Sequence, residues 1–107
     1  MSIDDQKKID MVTLSADGTV CLILTDHLPW DEPEHLLKLQ EKLDAYVAFY
    51  ESGQLLEVEP SASEGRVVIE VAAKHEPNEE AREFLFKVGE LLAPIGLAVQ
   101  WRQVRSR

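Results

Sequence analysis

Apolar residues recur along the chain in two ways, at steps of two in short stretches and at steps of three and four in two long ones, and the switches between them mark the elements. Ile9-Asp10-Met11-Val12-Thr13-Leu14 is β-branched and apolar, stops at Ser15-Ala16-Asp17-Gly18, and resumes as strand from Thr19 to Thr25. Asp-Gly between two such runs predicts a hairpin. Val20-Cys21-Leu22-Ile23-Leu24 is apolar on both faces, as expected of a central strand. Leu36, Leu39, Leu43, Val47 and Tyr50 then predict an amphipathic helix from about 33 to 52, with Asp31 and Glu34 as a capping pair and Gly53 as its stop.

Gln54 to Glu59 reads as a short strand before the Ser61-Ala62-Ser63-Glu64-Gly65 loop. Arg66 to Lys74 is the clearest strand: Val67, Ile69, Val71 and Ala73 form its core face, and Val68, Glu70 and Ala72 the other. Asn78 is expected to cap a second helix with Ala81, Phe84, Leu85, Val88, Leu91 and Leu92 as its stripe, ended by Pro94 and Gly96. Gly89 on that helix is assigned to close packing. Leu97, Val99 and Trp101 alternate with Ala98, Gln100 and Arg102 in a last strand. The order β-β-α-(β)-β-α-β predicts a two-layer α+β fold, a mainly antiparallel sheet with two helices on one face.

Composition bounds this picture. With 45% apolar and 29% charged residues, the 107-residue chain is expected to form one domain over residues 1–107, with loose ends at 1–7 and 105–107. No stretch approaches the ~18 apolar residues that span a bilayer, and the polar, acidic start lacks the pattern of a secretory signal, so the expected address is the cytoplasm, away from membranes. Cys21 is the single cysteine; it cannot pair within the chain and reads as a strand residue.

Charge changes the picture more. The formal net charge is −9, and of the 11 basic residues Arg102, Arg105 and Arg107 crowd the C-terminal end, so the body is more acidic still. Such a surface repels phosphates, which excludes direct nucleic-acid binding and makes a basic protein the charge-matched partner.

His27, His35 and His75 fall in the two loops that lead into helices, together with Asp26, Asp31, Glu32, Glu34, Glu76, Glu79 and Glu80. If the strands ending at Thr25 and Lys74 run parallel, both loops lie on one rim of the sheet, where open α/β sheets place their sites. Their histidine spacing has no coordination geometry of its own, and carboxylates at a helix start are favoured by the helix dipole in any case. Asp26 and His27, as neighbours on a strand, point to opposite faces and do not orient one another as a hydrolase base. No nucleophile elbow, phosphate-cradling loop or cofactor motif is present, so neither an enzyme nor a cofactor is expected. Leu28-Pro29-Trp30 reads either as an interface anchor or as a Trp folded over the end of the core. Cys21, Ile23, Val68 and Ala72 make the second sheet face apolar enough to expect cover by a partner or by a second copy of the chain, a homodimer.

The series Ile9-Asp10-Met11-Val12, Asp26-His27-Leu28-Pro29-Trp30, Leu36-Leu37-Lys38-Leu39-Gln40-Glu41-Lys42-Leu43 and Glu51-Ser52-Gly53 resembles a family of small bacterial proteins of unknown biochemical function, over about residues 8 to 104. Some of its members look like immunity proteins of contact-dependent growth inhibition and related polymorphic toxin systems. The resemblance implies a cytoplasmic protein that binds the toxic C-terminal domain of a cognate effector, often a nuclease, without chemistry of its own. A nuclease needs a positive surface, so an acidic inhibitor suits it. The residues expected to meet that partner are Asp26, Trp30, Asp31, Glu32 and Glu34 in the first loop, Glu76, Glu79 and Glu80 in the second, and Glu57, Glu59 and Glu64 in a further acidic loop. A homodimeric adaptor, or a small metal- or ligand-dependent enzyme at the histidine rim, is the alternative.

Overall fold

The structure is a computed structural model that describes residues 11–63 and 65–104. Strands β1 (Met11–Leu14), β2 (Val20–Asp26), β3 (Val67–Ala73) and β4 (Leu97–Gln103) form one sheet in that spatial order. Helix α1 (His35–Glu51) and the short α2 (Gln54–Val58) join β2 to β3, and α3 (Glu79–Leu92) joins β3 to β4. The two-layer α+β architecture expected from the pattern is present.

The expected strand directions need correction. Only β1 and β2 pair antiparallel; β2 with β3 and β3 with β4 are parallel. Each of these steps passes through a long helix, which returns the chain to the end where it started, so the next strand runs in the same sense. The expected strand over 54–59 would have added a reversal; that segment is the helix α2 followed by a 3-10 turn at Pro60–Ser63. Gln54-Leu55-Leu56-Glu57 are good helix formers, and Leu55 alone is buried among Gln54–Val58, which a single helical turn achieves and an alternating strand does not. Gly53, at φ 86°, makes the left-handed break between α1 and α2.

Register explains the core. Val20, Leu22 and Leu24 lie beside Val67, Ile69 and Val71, and Leu97 beside Val67, all on the face where Leu39, Leu43 and Tyr46 of α1 and Ala81 and Leu85 of α3 pack. The opposite face is not a continuous apolar patch. Val68 and Ala72 are buried there, Cys21 and Ile23 are half-buried, and Glu70 accepts from Gln100 at 2.9 Å and Arg102 at 2.6 Å across the β3–β4 ladder.

Two local expectations also change. The Asp31/Glu34 capping pair does not form; α1 begins at His35 after a tight turn in which Glu32 N donates to the Pro29 carbonyl and His35 N to the Glu32 carbonyl. Gly89 is not a close approach, because a Cβ built there meets nothing within 4 Å. The second helix follows its cap as expected, with Asn78 Oδ1 accepting from Ala81 N at 2.8 Å.

Candidate functional site

Parallel pairing of β2 with β3 in register, Asp26 beside Ala73, ends both strands on the same rim. The loops that follow them therefore leave side by side, and three hydrogen bonds fasten one to the other. Lys74 N donates to the Asp26 carbonyl at 2.8 Å, Trp30 Nε1 to the His75 carbonyl at 2.8 Å, and Asn78 Nδ2 to the Trp30 carbonyl at 3.4 Å. Asn78 thus caps α3 with its oxygen and holds the first loop with its nitrogen.

Beneath the rim lies a pair that the sequence reading did not foresee. His35, the first residue of α1, is fully buried, and its Nε2 meets Oδ2 of the buried Asp26. Its Nδ1 lies 2.9 Å from the Pro29 carbonyl, and Trp30 stacks on the ring with centroids 3.9 Å apart and planes 16° apart. The second Asp26 oxygen accepts from Leu28 N at 3.1 Å. A carbonyl only accepts, so Nδ1 carries a proton, and Nε2 is occupied by the carboxylate. Neither ring nitrogen is left to reach a substrate, and the pair works as a clamp on the Leu28-Pro29-Trp30 loop rather than as a general base.

The expected site residues separate accordingly. Asp26 is buried and Trp30 is 9% exposed, so neither presents its side chain to a partner; both were expected at the contact surface, and the core claims them because Asp26 ends β2 on its inward face. Trp30 follows the folded-over alternative. Asp31, Glu34, Glu76, Glu79 and Glu80 are exposed on the rim, with Glu32 half-buried beside Lys38 at 3.8 Å. Arg82 leans on Glu76 at 2.5 Å and over the Trp101 ring at 5.3 Å. Glu79 and Glu80 lie in the first turn of α3, where the helix dipole favours them as well.

Glu57 and Glu59 lie elsewhere. They follow α1 towards the start of β3, where Val20 N donates to the Arg66 carbonyl, so they belong to the opposite rim. Glu59 accepts from the Ser61 hydroxyl at 2.6 Å. Glu64 lies outside the described residues. Of the histidines, His27 and His75 are exposed while His35 is locked in its pair. Among the described residues no group of three or more His, Cys, Asp or Glu side chains is placed to hold a metal ion.

Sequence reasoning placed His35 in the rim loop and missed its burial, and it missed Lys42, which is fully buried with its Nζ 5.8 Å from the centre of the Tyr46 ring. The signal was available: His35, Leu39, Lys42 and Tyr46 recur at steps of four, three and four, which puts them on one helix face. Tyr46 donates from that face to the Ile23 carbonyl at 2.6 Å.

The fold and rim define a small α+β protein with an acidic, hydrogen-bonded loop pair and no helix, among the described residues, long and apolar enough to cross a membrane. The chain matches the model of a family of unknown function, DUF6572, over residues 1–105, and belongs to that family. No curated protein and no solved structure is similar enough to match it.

Proposed function

We propose that the protein is a binding protein without chemistry of its own, which recognises a basic protein partner through the acidic rim. The observation that carries this reading is that the two acidic loops leave adjacent parallel strands and are tied together through Trp30 and Asn78, so Asp31, Glu34, Glu76, Glu79 and Glu80 form one prearranged surface. A fixed field of this sign speeds encounter with a positive patch and repels nucleic acid. In its specific form the partner is the toxic C-terminal domain of a contact-dependent growth inhibition or related polymorphic toxin, a basic nuclease that the protein neutralises in the cytoplasm. That form rests on the family resemblance described above together with the net charge of −9.

A pull-down from the source cells, washed at low and then at high salt, tests the reading. One basic polypeptide in about equal amount is expected, weakened at high salt. With that partner in hand, changing Asp31, Glu34 and Glu79 to Lys is expected to slow association by about tenfold or more at low salt, with a smaller effect at high salt. An unchanged association rate would refute the rim as the contact surface.

A further inference from the structure

We infer that the groove between α1 and α3 receives an amphipathic helix of a basic partner. The inference rests on the binding reading above and names a second contact surface for it. The groove, about 240 Å³, is walled by Leu43 and Val47 of α1 and by Phe84, Val88 and Leu92 of α3, with Asp44 at its edge. It is smaller than the roughly 300 to 1,000 Å³ of pockets that enclose small molecules, and it runs between two helices, a shape that accepts a row of side chains at helical spacing.

Large apolar side chains border it in the open. Leu91 is 76% exposed on its α3 wall, and Leu37 is 57% exposed on α1, seven residues before Asp44 and therefore on the same side of the helix.

Charge selects the occupant. Asp44 lines the groove, and Glu41, Glu51 and Glu80 are exposed on the same two helices; of their cations Lys42 is buried, Lys38 lies 3.8 Å from Glu32, Arg82 is engaged by Glu76, and Lys87 lies with Glu83 and Glu90 beside Phe86, outside the groove lining. A second copy of this chain would bring a like-charged surface against it, and an anionic lipid surface would be repelled in the same way. A helix with an apolar stripe and Lys or Arg on its flanks matches both features of the groove.

Two synthetic peptides of about 18 residues test this, both with one leucine stripe at helical spacing, one flanked by Lys and the other by Glu. Each is titrated into the isotope-labelled full chain while backbone amide signals are followed. The Lys peptide is expected to saturate and to shift Val47, Phe84, Val88 and Leu91. Leu91→Glu, at an exposed position that leaves the core intact, is expected to weaken it about tenfold or more. No binding by the Lys peptide, equal binding by the Glu peptide, or shifts confined to Asp31, Glu34 and Glu76 would overturn the groove as the docking site. The last of these would leave the basic-partner reading standing, whereas a pull-down that recovers no basic polypeptide would remove that reading whatever the peptides do.

Discussion

Changing Asp26 to Asn or to Ala separates the charge of its carboxylate from the hydrogen-bonding positions it fills. In Asp26→Asn the amide oxygen takes over the bond from Leu28 N, now 3.1 Å, and the amide nitrogen faces His35 Nε2. His35 then needs one proton only, on Nδ1, which it donates to the Pro29 carbonyl at 2.9 Å. The bonds at Leu28 N, His35 Nε2 and His35 Nδ1 all keep a partner, so the cost is expected to stay within about 1 kcal/mol. Asp26→Ala leaves His35 Nε2 without its partner at a site with no solvent access and removes the acceptor of Leu28 N. Breaking a buried pair from one side costs about 3 to 5 kcal/mol. Against a total stability of about 5 to 15 kcal/mol, that is a large fraction. Urea unfolding followed by tryptophan fluorescence measures both variants; Trp30, stacked on His35, reports on the pair and Trp101 on β4 reports on the sheet. A double-mutant cycle with His35→Ala should return a coupling of about 2 kcal/mol or more, since the two side chains are in direct contact. Asn and Ala variants of equal stability, or an Ala variant less than about 1 kcal/mol below the parent, would refute the clamp.

Two further outcomes follow from local geometry. Asp17 is held below the ordinary carboxylate range, at about 2, first by the Ser15 hydroxyl and then by its bonds from Thr19. Because the folded value lies below the unfolded one, its contribution is present above about 3.8 and is lost as pH falls through about 2; Ser15→Ala is expected to move the carboxyl titration, read by NMR, back towards 3.8, and an unmoved titration would assign the shift elsewhere. Gly89→Ala fills open space in mid-helix and is expected to stabilise by roughly 0.5 to 1 kcal/mol, whereas a Cβ at Gly65 would lie 2.3 Å from the Gly18 carbonyl oxygen, so Gly65→Ala is expected to destabilise; thermal melts that order the two variants the other way would overturn the assignment.

The strands, the two long helices and the Asn78 cap were legible because each rests on local periodicity or local chemistry. Strand direction was not, because it depends on where a crossover returns the chain, and α2 was mistaken for a strand when a single buried Leu55 left alternation nothing to act on. The Asp26–His35 pair spans a loop, and no spacing rule joins a strand end to a helix start across Pro29 and Pro33. Reading Asp26 as a surface carboxylate treated acidity as exposure. Its inward place on β2, two residues past Leu24, carried the opposite message.

On the proposed reading, in which the rim meets a basic partner, the buried pair and the exposed rim are two parts of one device. The Asp31-Glu32-Pro33-Glu34 segment has little apolar surface of its own to bury, and ordering it at the moment of binding would cost about 1 to 2 kcal/mol per residue in backbone entropy. Here that ordering is done in folding, by Trp30 stacked on His35 and bonded to His75, with the buried Asp26 holding His35 in turn. The carboxylates that follow Trp30 are therefore presented at fixed positions before any partner arrives, which favours rapid, electrostatically steered association over slow coupled folding. It follows that loosening the clamp and removing rim charge should act on different steps. Asp26→Ala should lower affinity through the cost of reordering the loop, at every salt concentration, whereas the rim reversals should act on the association rate and lose most of their effect as salt rises. A clamp variant with the same salt signature as the rim variants would mean that Asp26 contributes to binding only through the surface it supports, and not through its rigidity.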